Sequence, residues 1–225
     1  MQVKKLLIIK HVQHNNLGAI IPICARLGLE IDLRTPALGD EVPDDLSDYQ
    51  GLMILGSQDS VYDNKPYIQT DLQLLAAAEK AGVPYLGICL GAQLLAHYIG
   101  GSVYKGLLGA MRQFGPIVVK TDDAVFGDEL VGATIFQWHQ DTFTLPDTAT
   151  VLATDGGYPL QAFKWGKNFY GVQFHPEVNA EVITRWVNRD EPQMALHQLL
   201  DEAEKNLPQV HGWLEVFMRR LFERG

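Results

Sequence analysis

Two short stretches hold residues whose types and spacing fit covalent chemistry. In the first, GICLG, Cys89 stands between Gly87 and Gly91, where an apolar run gives way to a helical pattern that begins at Leu90. The form G-x-Cys-x-G matches a strand-to-helix elbow, in which a nucleophile occupies a strained turn and points its side chain out of the sheet. Glycines suit the flanks because any side chain there would collide with neighbouring backbone as the turn tightens. The positive end of the helix would stabilise a thiolate, and the Leu90 N–H, unpaired at the helix start, is placed to donate to an oxyanion. Taken alone, the motif equally describes a small buried hydrophobe, which is what most free cysteines are.

The second stretch, FYGVQFHPEV, ends an apolar strand at His175 and sets Glu177 two residues further on, with Pro176 fixing the backbone between them. On extended chain a two-residue spacing aims both side chains the same way. Glu177 would then hold one tautomer of the His175 imidazole while the other ring nitrogen faces a thiol. Nucleophile, base and orienter are the parts that covalent catalysis requires.

These residues need a scaffold, and the chain supplies the pattern of one. With 225 residues, 47% hydrophobic and 20% charged, it fits one domain with a sizeable core, expected to span residues 1–225 with a helical C-terminal extension over 180–225. Apolar runs at Leu6 to Val12, Glu30 to Arg34, Gly51 to Leu55 and Pro84 to Ile88 alternate with helical segments at Leu17 to Leu27, Thr70 to Ala81 and after Cys89. That order predicts an α/β fold: a mostly parallel central sheet with helices on both faces. In such a sheet ligands bind beyond the carboxyl ends of the strands, where Cys89 falls. From about Ser102 to Phe174 the runs PIVVK, ATIFQWH, TVLAT, LQAFKW and FYGVQF predict additional antiparallel strands. DGG at 155–157 reads as a hairpin turn. The end of the chain returns to helical periodicity in two segments separated near Pro208, whose apolar faces would pack on the sheet or on a second copy, permitting a homodimer.

Charge and cysteine content narrow the partners. A net charge of −9 with only 18 Lys+Arg leaves no electrostatic footprint for nucleic acid or an anionic membrane surface. The apolar run Leu6 to Ile9 is too short for a signal-peptide core or a membrane span. Cys24 and Cys89 are the only cysteines; both are expected to be reduced, in a cytoplasmic setting, with Cys24 on the core face of a helix. His11 and His14 make a poor metal pair, without a cysteine or nearby carboxylates, and are expected to face solvent or the rim of the site. No nucleotide loop is present, and neither a metal nor a cofactor is expected.

GICLGAQLLA, GVQFHPEV and the upstream loop ILGSQDSVYD together resemble the class I glutamine amidotransferase family, and IFQWHQDTFTLP is similar to the subgroup typified by the amidotransferase domain of GMP synthase. The resemblance runs from the first strand to about Val178. It implies a flavodoxin-like amidotransferase fold and a Cys-His-Glu triad of Cys89, His175 and Glu177. It also implies an oxyanion hole from the Leu90 N–H and a backbone N–H of the Gly56–Ser57 loop, and a contact from Gln93 to the substrate's amino acid end. The implied substrate is glutamine, hydrolysed at its side-chain amide, and the implied partner is a synthetase or other ammonia-accepting subunit.

The chain departs from the family pattern at three points. Gly56-Ser57-Gln58 replaces the usual Gly-Gly-Pro, so a less rigid loop is expected there; AMRQFGP stands where many relatives have Glu-Ile-Gly-Trp; and 225 residues leave no room for a synthetase domain. Two other readings therefore stand beside glutamine hydrolysis: cleavage of a γ-glutamyl peptide or conjugate by the same triad, and a non-catalytic binding or regulatory module. His139 and Asp141 of WHQDT fit a role in shaping the pocket or a partner surface, or a turn-stabilising one.

Overall fold

The computed structural model describes residues 5–12 and 17–223; His14 lies outside them. The first half runs β1 (Lys5–Ile9), α1 (Ile20–Leu27), β2 (Glu30–Arg34), β3 (Tyr49–Ile54), α2 (Pro66–Ala81), β4 (Tyr85–Ile88) and α3 (Leu90–Tyr98). Then come β5 (Val103–Lys105), β6 (Met111–Pro116), β7 (Val118–Val119), β8 (Thr134–His139), β9 (Asp141–Phe143), β10 (Ala149–Thr154), β11 (Ala162–Trp165) and β12 (Phe169–Val172). The helices α4 (Ala180–Asp190) and α5 (Leu196–Phe222) follow.

An eight-stranded sheet in the order β2-β1-β3-β4-β12-β11-β10-β7 forms the centre. The five strands from β2 to β12 run parallel, and β11, β10 and β7 continue the sheet antiparallel. The segment FYGVQF, expected among the antiparallel strands, supplies the joint: β12 lies antiparallel to β11 but parallel to β4, with Val172 beside Ile88. That pairing brings the chain carrying His175 alongside the strand that ends at Cys89. Two small ribbons, β5-β9 and β6-β8, stand outside the main sheet.

Strand alternation divides the core. Leu6 and Ile8 face a cluster with α1 and the second half of α5, whereas Leu7 and Ile9 face α2 and α3. A third cluster joins Phe136 and Trp138 of β8 to α4 and the start of α5. Helices therefore cover both faces, as the β-α alternation predicts.

Several boundaries differ from expectation. β1 stops at Ile9, so His11 lies past the strand end. α2 begins at Pro66 in place of Thr70, because proline at the first helical position loses no hydrogen bond that the helix would have made. The two C-terminal helical segments are one helix of 27 residues with Pro208 inside it. A proline in a helix interior costs roughly 3 kcal/mol, but the apolar stripe keeps its register across it, with Leu199, Ala203 and Leu207 before and Val210, Trp213, Leu214 and Phe217 after, all buried. Burial of each large side chain contributes about 1.5–3 kcal/mol, so several together outweigh the proline.

Candidate active site

The elbow at Cys89 is built by steric demand. Cys89 has φ 52° and ψ −102°, and it and Asn64 are the two non-glycine residues with positive φ among the described residues. Such a conformation costs of order 1–3 kcal/mol and persists only where surroundings enforce it. The Cys89 N–H donates to the Val172 carbonyl at 2.8 Å, and the Cys89 carbonyl accepts from Gln93 N at 3.0 Å, so strand and helix grip the turn from both sides. A Cβ at Gly87 would run into the Gly91 backbone, and one at Gly91 into the Ile54 carbonyl. Leu90 opens α3, leaving its N–H among those with no acceptor inside the helix.

His175 comes three residues after β12 ends. The stretch is a bend and turn, not the extended chain that a two-residue spacing suggests, and Pro176-Glu177 form the turn. The pairing nevertheless forms: His175 Nδ1 lies 2.8 Å from Glu177 Oε1, with both side chains buried. Nε2 has no hydrogen-bond partner of standard geometry, and besides Glu177 the charge acting on the ring is that of Cys89. Burial pulls the imidazole pKa down, but Glu177 and Cys89 outweigh burial and raise it to about 10. The geometry favours the protonated form of the His175 ring. Trp186 of α4 meets the ring edge-on at 4.8 Å.

Gly56, Ser57, Cys89, Gln93 and His175 line one cleft of about 430 Å³. A Cβ on Gly56 would lie 2.9 Å from His175 Cε1 and 3.5 Å from the Cys89 Cβ, so a side chain there would crowd both residues. Ser57, where a less rigid loop was expected, is braced: its Oγ accepts from Asp59 N at 3.2 Å and lies 3.2 Å from the Tyr67 hydroxyl. Gln93 directs its amide donor inward, 3.2 Å from Gln173 Oε1 and 3.4 Å from the Asp141 carbonyl.

Other expectations resolve differently. His139 and Asp141 both line the cleft. Burial, with His175 and Arg112 nearby, drives the His139 pKa down to about 3, so this ring is neutral. Asp141 accepts from Ser60 Oγ at 2.5 Å and from the Tyr62 hydroxyl at 3.0 Å, fastening the loop after β3 to β9. His11 is buried, not solvent-facing, because Asp71 of α2 pairs with it at 2.7 Å. Cys24 is buried in α1, and burial raises its thiol pKa to about 11. No group of three or more metal-ligating side chains occurs among the described residues.

The model for the family "Glutamine amidotransferase class-I" matches residues 15–189, which take in the elbow, the Gly56–Ser57 loop and the His175–Glu177 pair. The chain belongs to the class I glutamine amidotransferase family. A solved structure, that of a glutamine amidotransferase from Thermotoga maritima, superposes with a TM-score of 0.92 at 31% identity over 100% of both chains. GMP synthase of Porphyromonas gingivalis is 37% identical over 144 residues, 62% of this chain and 27% of that protein. Gamma-glutamyl peptidase 3 of Arabidopsis thaliana is 31% identical over 152 residues, 64% of this chain and 61% of that protein. The chain thus spans about a quarter of the synthase's length and under two thirds of the peptidase's.

Within this family frame, the site holds residues that sequence reasoning did not single out. Gln173, fully buried, donates to Cys89 Sγ at 3.6 Å and links the thiol to Gln93. Its position two residues before His175 was the available signal. Arg112 of β6 lies 4.8 Å over the Trp138 ring, donates to the Met111 and His139 carbonyls at 2.8 and 3.1 Å, and lines the cleft. Trp186, Arg189 and Asp190 reach the same cleft from α4, beyond the last recognisable motif.

Proposed function

We propose that this chain hydrolyses the side-chain amide of glutamine or a close analogue through a thioester on Cys89. The single observation that carries the reading is the enforced positive φ of Cys89 in a cleft shared with the His175–Glu177 pair at 2.8 Å. The Cys89 thiolate attacks the γ-carbonyl carbon, forming the C–S bond. The oxygen takes the negative charge and is held by N–H groups of Leu90 and of the Gly56–Ser57 loop. His175 gives its proton to the departing nitrogen as the C–N bond breaks, releasing ammonia. It next takes a proton from the water that attacks the thioester, and glutamate leaves as the thiolate is restored. Glu177 orients the ring and balances its charge. Gln93 contacts the amino acid end of the substrate.

A second reading, hydrolysis of a γ-glutamyl peptide or conjugate, uses the same steps with an amine as leaving group. It is supported by the lining of the cleft, in which Arg189 and Glu191 join Cys89, and by the similarity to gamma-glutamyl peptidase 3. Used for synthesis, the ammonia would pass to a synthetase or acceptor subunit. The free state of both cysteines suits a reducing compartment such as the cytoplasm.

The test is a substrate screen of glutamine against γ-glutamyl dipeptides, with mass detection of the acyl adduct. Ammonia release and an adduct on Cys89 are expected from wild type, and neither from Cys89→Ala with its fold intact. A Cys89 that also fails to react with a diazo-ketone analogue of glutamine would favour the non-catalytic module.

A further inference from the structure

Behind the oxyanion loop lies a buried pair that the reaction does not use. His11 Nε2 and Asp71 Oδ2 are 2.7 Å apart, and both side chains have no exposed surface. His11 Nδ1 and Asp71 Oδ1 have no partner among the described residues. Burying polar atoms without partners costs stability, and an apolar pair of similar volume would be as stable or more so. Stability alone does not call for this arrangement.

Its neighbours point to another use. The His11 ring lies 4.7 Å from the Tyr67 ring at an interplanar angle of 32°. Tyr67 and Asp71 are four residues apart on α2, so they share one helix face. The Tyr67 hydroxyl donates to Asp59 Oδ2 at 2.6 Å and touches Ser57 Oγ at 3.2 Å. One phenol thus holds both Ser57 and Asp59 of the loop from Gly56 to Asp59, whereas Gln58 donates outward to Asp190 Oδ1 at 2.9 Å, and the ring packed beside the phenol sets its orientation. The main chain agrees, since Leu55 N donates to the Ile9 carbonyl at 3.0 Å, tying the end of β3 to the end of β1, two residues before His11. On the other side, Tyr85 feels the Asp71 charge and donates its hydroxyl to the Gly91 carbonyl at 2.8 Å in the first turn of α3.

We propose that the His11–Asp71 pair is a positioning device for the oxyanion loop, acting through Tyr67 on Ser57 and Asp59. Without the glycine-proline rigidity usual at that loop, Gly56-Ser57-Gln58 takes its shape from these side chains. The role in turnover rests on the function proposed above; the effect on the loop does not.

The test therefore has an activity arm and an arm independent of activity. Amide hydrogen exchange, read by mass spectrometry, is compared in wild type, Asp71→Asn and Tyr67→Phe. Exchange in peptides covering residues 56–60 is expected to rise about tenfold or more in both variants, with peptides covering β4 and β12 unchanged. Kinetically, kcat should fall about tenfold or more with KM little altered, since small misplacements of a catalytic group cost factors of that order. Alkylation of Cys89 by iodoacetamide, which needs no oxyanion donor, should stay within about twofold. The double variant should be no worse than Tyr67→Phe alone, because both changes act along one route. Unaltered exchange at residues 56–60 in Tyr67→Phe, which keeps the ring and removes only the hydroxyl, would overturn the proposal, as would equal losses in turnover and alkylation. A wild type inactive on glutamine and on γ-glutamyl peptides would instead remove the functional reading, and the exchange arm would still decide this one.

Discussion

His175 carries the electrostatics of the site, and its surroundings set a pH dependence with a definite sign. Burial alone would lower its pKa, but Glu177 and Cys89 raise it from 6.5 to about 10. The folded chain keeps the proton where the unfolded chain has lost it. The resulting stabilisation is fully present below pH 6.5, declines as pH rises, and is gone above about 10. Glu177→Gln removes one of the two charges responsible. The ring's titration, followed by NMR at its Cε1 proton, should move to lower pH in this variant. Its stability deficit relative to wild type, from urea denaturation, should be largest below pH 6.5 and shrink towards pH 10. Activity should drop by about 10²-fold or more, since an orienting carboxylate exchanged for its amide favours the wrong tautomer. A deficit that grows with pH would contradict the ion-pair geometry.

Elements show where the sequence was legible and where it was not. The elbow at Cys89 could be read because sterics act locally: Gly87, Cys89 and Gly91 constrain one another across five residues. The β-α alternation was legible for the same reason, since period and turn residues encode strands one at a time. Pairing partners are not local, so nothing in FYGVQF announced that β12 lies parallel to β4 while β11 runs against it. His11 was read as solvent-facing because Asp71, the residue that makes its burial tolerable, is sixty positions away on a helix whose true start was missed. Pro208 misled in the opposite direction, as a strong local signal overruled by packing on both sides. That last conflict yields a prediction. Pro208→Ala restores a backbone donor and removes the clash with the preceding turn, so stability should rise by about 1–3 kcal/mol with turnover unaltered. A loss of stability in urea denaturation would mean that the packing of α5 depends on a proline-bent axis.

At the scale of the molecule, the site is held by segments from both ends of the described chain. Ala19 N, at the start of α1, donates to the Glu177 carbonyl at 2.8 Å, and His211 of α5 lies 2.8 Å from the Val178 carbonyl. Trp213 stacks on Phe217 at 5.0 Å, donates to the Phe126 carbonyl at 2.8 Å, and packs against Phe174, the residue before His175. The loop bearing His175 and Glu177 therefore cannot lift without unseating α5 from the sheet, and α5 cannot leave without exposing Trp213, Phe217, Leu221 and Phe222, all fully buried. Local opening of the site should cost nearly as much as global unfolding, in contrast to the loosely held loops of many active sites. Loss of activity and loss of far-UV circular dichroism should then share one urea midpoint in wild type. Trp213→Ala, distant from the thiol, should lower both midpoints together by the equivalent of about 3–5 kcal/mol. Activity lost well before the circular dichroism changes would show that the loop bearing His175 and Glu177 opens by itself and that α5 braces the sheet without bracing that loop.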